Sequence, residues 1–166
     1  MNRRLLLILG AIFILIIAAI IVVTAQFTPD ETMPAFAAAV AFVDAAASGD
    51  DETAEQYLGP GLRAYVENNC PNGSVSACID AYIPDEWGAF RDMTFRRAAP
   101  NGDRWHVDLI GYWERDQGFS GVCVYADMAL ETDGQWRVQR WAGFAWCGDP
   151  NTRSMATNVD APNQAP

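Results

Sequence analysis

The chain has 166 residues, and its 21 acidic residues outnumber 11 basic ones, which gives a formal net charge of −10 at pH 7. A surface this acidic disfavours nucleic acid and anionic lipid as partners, because both carry negative charge. All basic residues are arginine, and the chain is long enough for one domain with a core of its own.

An uncharged apolar stretch runs from Leu5 to Val23. As a helix it would reach about 28 Å, close to the hydrocarbon thickness of a bilayer. Arg3 and Arg4 precede it, so the positive-inside rule places the N-terminus in the cytoplasm. The stretch predicts a single-pass anchor in the cell membrane, with the C-terminal domain outside the cytoplasm. The alternative is a signal peptide cleaved after Ala25, which would make the protein secreted or periplasmic.

This interpretation divides the chain into four parts. Residues 1–25 form a cytoplasmic stub and the anchor or signal peptide, residues 26–33 a spacer, residues 34–147 an extracytoplasmic domain, and residues 148–166 a tail. The tail is rich in proline, asparagine and aspartate, which predicts disorder. Everything beyond the apolar stretch carries nine arginines and all 21 acidic residues, a net charge of −12.

Four cysteines, Cys70, Cys78, Cys123 and Cys147, form an even set in a chain predicted to lie in an oxidising compartment. Two disulfides are therefore expected, rather than a metal or redox site. Of the three connectivities, Cys70–Cys78 with Cys123–Cys147 is favoured because each bond closes a local segment. A structural zinc site requires closer cysteine pairs or histidine partners, and the chain has one histidine.

Apolar residues at intervals of three and four predict helices over residues 34–48 and 74–82. Asp50 as a cap, with acids in the first turn, predicts a short helix over residues 51–58, and a third segment covers residues 62–67. From Phe90 the period changes to two, which predicts four strands joined as a meander. Two turns with glycine in the third position, Pro100-Asn101-Gly102 and Thr132-Asp133-Gly134, fix the register. The expected partners are Phe95 with Val107, Met93 with Leu109, Leu130 with Trp136 and Met128 with Val138. The apolar face of this sheet needs the helices as a cover, so the fold class is α+β.

This register sets Cys123 opposite Gly143, which leaves Cys147 roughly 13 Å further along an extended strand. A disulfide requires Cα atoms within about 7 Å. We expect the last strand to end near Phe144 and the chain to fold back at Ala145 and Trp146. A second bulge in the strand, or a bond from Cys147 to the loop of the first cysteine pair, would be the alternatives.

The order of helices and then a meander resembles the cone-shaped family named after nuclear transport factor 2, with its ketosteroid isomerase-like and polyketide-cyclase-like members. The resembling residues are Gly49-Asp50 followed by Ala54, Tyr57 and Leu58, and the closing hairpin from Asp133 to Val138. The resemblance covers about residues 34–146. It implies a sheet curled around the long helix, with a pocket or a dimer surface at the open end. Catalytic relatives project acid and base groups into the cone, where this chain has apolar residues.

The expected cone pocket combines one inward arginine with apolar side chains: Arg140, Trp105, Leu109, Trp113 and Met128. The arginine could hold a carboxylate there, or its stem could pack while its charge pairs with an acid. His106 and Asp108 are expected on the opposite, solvent-facing side of the sheet. Tyr125 and Trp141 are expected to oppose each other on that outer side as an exposed contact surface.

Two functions follow from these features. The first is a membrane-anchored, extracytoplasmic, non-catalytic domain that binds a partner protein, a second copy of itself, or a small apolar ligand, with no cofactor. The second is an isomerase, dehydratase or hydrolase acting on a small substrate in the cone, with Arg140 orienting it and His106 or Asp108 as base. The second rests on the family resemblance alone.

Overall fold

A computed structural model describes residues 3–27, 33–115, 121–155, 157–158 and 160–166. The chain divides into two compact units, Met1–Met33 and Pro34–Pro166. The first unit contains helix α1, Arg3–Phe27. Its described side chains, over residues 10–22, are exposed. Within the described residues, no helix combines the length and the apolar character that crossing a membrane requires.

The second unit is α+β, as the sequence predicts. Its helices are α2 (Pro34–Ala47), α3 (Asp51–Gln56), α4 (Pro60–Asn69) and α5 (Val75–Asp80), with short 3-10 turns at Pro71–Gly73, Asp85–Trp87 and Pro150–Ser154. Four strands follow the helices: β1 (Phe90–Asn101), β2 (Arg104–Trp113), β3 (Val122–Leu130) and β4 (Trp136–Trp146). They form one antiparallel sheet in the order β1-β2-β3-β4.

The helices cover one face of the sheet, which we call the inner face. The alanine-rich α2 lies against it, because small side chains let the helix approach closely and Phe42 and Val43 then fill the space between. Gly49 ends this region with φ of +80°, a value that glycine adopts without strain. Asp50 caps α3 by accepting a hydrogen bond from the backbone N–H of Thr53.

Four bulges interrupt the strands, and the first two lie in β1, at Arg91 and Arg96. Leu130 pairs with Trp136 and Met128 with Val138, as expected. Phe95 pairs with Leu109 instead of Val107, and the expected Met93–Leu109 pair is also wrong. The first hairpin turns over two residues, since Asn101 pairs directly with Arg104.

The other two bulges lie in β4. Met128 pairs with Val138 but Asp127 pairs with Arg140, so Gln139 is an inserted residue. Val138 is held in place by a backbone bridge to the segment after α3, because its N–H donates to Tyr57 O and its carbonyl accepts from the N–H of Gly59. The last bulge is at Phe144, which has φ of +43°.

The disulfides Cys70–Cys78 and Cys123–Cys147 are both formed, each with a Cα–Cα distance of 4.9 Å. The predicted connectivity is confirmed, but the expected fold-back at Ala145 and Trp146 is wrong. The bulge at Phe144 brings Ala145 opposite Cys123, and β4 continues to Trp146. The alternative of a second bulge therefore describes how Cys147 comes within reach of Cys123.

The C-terminal segment is not the disordered tail that its composition predicts, where the structure describes it. Met155, Ala161 and Ala165 are buried. The N–H of Gly143 donates to Pro162 O, and Ala165 forms an antiparallel bridge with Trp141. Met155 and Ala161 cover the outer face of β3 and β4, while Ala165 packs with the inner core beside Trp141. Average composition does not reveal such packing roles.

Candidate functional site

The predicted cone pocket is filled by the core of the domain. Leu109 and Met128 are at most 1% exposed, and Trp113 is 6% exposed. Trp105 is partly buried against the same core. These four residues do share the inner face, but the structure leaves them closed beneath the helices instead of lining an open cone.

Arg140 does not join them, because the bulge at Gln139 reverses the faces of the residues that follow it. Arg140 pairs with Asp127 on the outer face of the sheet, and Trp141 takes the inward position beside Ala126. Trp141 is fully buried and stacks on Phe42 of α2, with ring centroids 5.7 Å apart. The predicted inward arginine and outward tryptophan are therefore both wrong, for the same physical reason.

The predicted contact surface at Tyr125 and Trp141 is likewise wrong. Tyr125 does point outward, but it is 0% exposed because Met155 and Ala161 of the C-terminal segment cover it. The guanidinium carbon of Arg140 lies 5.6 Å from the centre of its ring, in cation–π geometry. Burial raises the pKa of Tyr125 to about 12, while the positive charge of Arg140 acts in the opposite direction.

Polar residues gather on the outer face in one row across three strands. His106 of β2 pairs with Asp127 of β3, and Asp127 pairs with Arg140 of β4. Directly opposed side chains in such pairs lie about 5 Å apart at Cβ. The row therefore sets one carboxylate between an imidazole and a guanidinium.

Asp127 is 6% exposed, and its two oxygens have different surroundings. Oδ2 accepts a hydrogen bond from Nη1 of Arg104 at 2.7 Å. Oδ1 is buried, lies 3.5 Å from Nε2 of His106, and accepts no hydrogen bond within the described part of the chain. The bond to Asp127 raises the pKa of Arg104.

His106 is held in its neutral form by its surroundings. Burial lowers its pKa, and this outweighs the attraction of Asp127. The charged groups that act on it are, besides Asp127, the side chains of Arg140, Asp108 and Arg97. The amide nitrogen of Asn101 lies 2.9 Å from Nε2 and can donate to the neutral imidazole. Nε2 then carries no proton that it could give to Asp127.

Asp108, the second expected base, has a structural partner. It is 3% exposed on the outer face and pairs with Arg97 of β1 at 2.9 Å. Burial raises the pKa of Asp108, and the charge of Arg97 opposes that shift. His106 and Asp108 thus lie on the outer side as the alternation predicts, but both are withdrawn from free solvent by the neighbouring side chains.

The row opens into a recess of about 610 Å³. The recess is lined by Asn101, Asp103, Arg104, His106, Asp127, Gln139, Arg140, Thr157 and Pro166. It differs from a typical drug-like pocket, which is mainly apolar. A second recess, of about 540 Å³, lies where Trp113 and Phe90 meet Asp80 and Asp85.

Sequence reasoning singled out His106 and Arg140 but missed Asp127 and Arg104. A signal for Asp127 was present, because it is the one charged residue in an otherwise apolar strand, Val122–Leu130. No group of three or more metal-ligating side chains occurs among the residues that the structure describes.

Comparisons with protein family models, with curated proteins and with solved structures find no match to this chain. The resemblance to the nuclear transport factor 2 family stays a prediction.

Proposed function

We propose that this protein is a membrane-anchored, extracytoplasmic, non-catalytic binding domain, and that the polar recess on the outer face is its binding site. The observation that carries the proposal is the row of His106, Asp127 and Arg140, which opens into the recess while the inner face is packed. Because the recess lining is polar, we propose a polar small ligand in place of the small apolar one, which is one of the three partners expected from the sequence.

The location rests on two features. The two disulfides, which leave no cysteine free, suit an oxidising compartment. The uncharged stretch from Leu5 to Val23 lies within α1 and follows Arg3 and Arg4, as in an anchor with its N-terminus inside.

Fractionation tests the location. We expect the full chain to stay with membranes after washing in alkaline carbonate, and a variant lacking residues 5–23 to be released. If the mature chain were found to start at Gln26, the N-terminal segment would be a cleaved signal peptide and the protein would be secreted or periplasmic. Four free thiols in the native protein would contradict the extracytoplasmic location altogether.

Amide chemical-shift mapping tests the binding site. A library of small polar compounds, both charged and neutral, would be added to the isotope-labelled full chain in detergent micelles. We expect at least one compound to shift the amides of Arg104, His106, Asp127 and Arg140. The substitution Arg140→Gln should abolish the response, whereas Arg137→Gln should preserve it, because Arg137 pairs with Asp133 and is not among the residues that line the recess. Shifts confined to the recess beside Trp113 would contradict the proposal.

A second candidate is an enzyme acting in the same recess, an isomerase, dehydratase or hydrolase with His106 as general base. It is supported by the imidazole in the lining of the recess, whose lowered pKa favours the neutral form that a general base needs. Measuring substrate turnover distinguishes the enzyme from the binding domain. Hydrolysis of p-nitrophenyl acetate that His106→Asn abolishes would favour a hydrolase, whereas a binding domain leaves the ester at its background rate.

A further inference from the structure

The chemistry of the recess narrows the class of ligand. Its lining contains two arginines, Arg104 and Arg140, and two aspartates, Asp103 and Asp127. With His106 neutral, these charges balance. The two carboxylates would repel a simple anion, and the two guanidiniums would repel a simple cation. The lining as a whole therefore favours neither.

The buried oxygen Oδ1 of Asp127 needs a hydrogen-bond donor. An ionised oxygen without one is costly to bury. His106 does not supply the donor at neutral pH, because its Nε2 faces the amide of Asn101 as an acceptor. Oδ1 is closed to solvent in this structure, so a ligand in the recess reaches it only after a neighbouring side chain moves. A ligand N–H can then supply the donor, and a protonated amine forms the stronger, charge-assisted bond.

The guanidiniums provide the complementary half of the site. Arg104 uses Nη1 for Asp127, and 47% of its side chain remains exposed. Its other N–H groups can therefore reach a carboxylate in the recess, since the guanidinium has five donors in a fixed plane. Arg140 lines the same recess, one strand away from Asp127.

We propose that the recess binds a free α-amino acid, with its ammonium group on Oδ1 of Asp127 and its carboxylate on Arg104 and Arg140. This inference rests on the proposed function of the recess. In an α-amino acid a single carbon separates the two charged groups. Asp127 and Arg140 are directly opposed on adjacent strands, so they can present opposite charges to the two ends of one small ligand.

Isothermal titration calorimetry on the full chain in micelles, at pH 7.5, tests this ligand class. Each of the twenty common L-amino acids would be titrated singly. The tightest would then be compared with its hydroxy-acid analogue, which lacks the ammonium, and with its decarboxylated amine. We expect at least one amino acid to bind saturably, and each analogue to bind at least about tenfold more weakly, as expected when one charged contact is lost.

Two variants locate the binding. Arg104→Gln should weaken it at least about tenfold, and Asp127→Asn should do the same, while Arg137→Gln leaves it unchanged. Arg104 is half-exposed, so its substitution keeps the test valid if Asp127→Asn fails to fold. The inference is overturned if no amino acid binds, if the analogues bind equally well, or if Arg104→Gln retains full affinity. Should another polar compound still shift the recess amides, only the ligand class falls; if none does, the proposed function falls with it.

Discussion

Replacing Trp141 by alanine is the sharpest stability test of the observed face assignment. Trp141 is 0% exposed and stacks on Phe42, with an interplanar angle of 28°. Removing a large aromatic side chain from a packed core costs about 3–5 kcal/mol, because the transfer free energy is lost and a cavity remains. We therefore expect Trp141→Ala to lower the free energy of unfolding by that amount.

Urea denaturation of the full chain, followed by far-ultraviolet circular dichroism, measures this change. The matched control is Trp136→Ala, which should cost less because the Trp136 ring is only partly buried at the edge of the core. The strict alternation of β4 would place Trp141 on the surface. A loss below about 0.5 kcal/mol, the range of surface substitutions, would therefore refute the observed arrangement.

Three further predictions follow from the strands and the C-terminal disulfide. Gly143→Ala should destabilise the fold by more than about 2 kcal/mol, because at φ of +97° its Cβ would collide with the carbonyl of Cys123. The control Gly134→Ala, at φ of +80° in open space, should cost only about 1 kcal/mol. Equal losses of the two variants in urea denaturation would contradict this prediction. Cys147→Ser removes a bond that spans 24 residues and should cost about 3.5 kcal/mol on the chain-entropy model; an unchanged urea midpoint would mean that the bond does not form. Burial lowers the pKa of His106 below its unfolded value, so the contribution of the neutral imidazole to stability is present above about pH 6.5 and is lost as the pH falls through the folded pKa. Between pH 7.5 and pH 5 the melting temperature of His106→Asn should therefore fall less than that of the native protein. Equal falls would show that the protonation of His106 is not linked to folding.

Much of the fold could be predicted from local patterns. The glycine and aspartate at Gly49 and Asp50 separate two helices, as their backbone preferences predict. The hairpin around Asp133 and Gly134 gave the correct pairing of Leu130 with Trp136. The disulfide connectivity followed from compartment and local spacing.

The bulge at Gln139 could not be predicted, because an inserted residue leaves the composition of a strand unchanged. Gln139 becomes an extra residue where Val138 bonds to Tyr57 and Gly59, and this contact is distant in sequence. A single insertion then moves every following side chain to the opposite face. For this reason the sequence identified Arg140 as a functional residue but placed it on the wrong side of the sheet.

The burial of Tyr125 could not be predicted for a similar reason. Alternation correctly assigns Tyr125 to the outer face, but it does not show that Met155 and Ala161 return to cover that face. Both apolar residues stand in a polar segment. Long-range packing of this kind has no local periodicity that a single sequence could reveal.

The face assignment of β4 decides whether the recess exists, and one measurement tests it directly. Nuclear Overhauser contacts from the indole ring of Trp141 would be recorded in the folded full chain. The structure predicts contacts to the ring of Phe42 in α2, together with contacts from the Arg140 side chain to the ring of Tyr125. Contacts from Trp141 to Tyr125 would instead place Trp141 outside and Arg140 inside, and would remove the row on which the binding site depends.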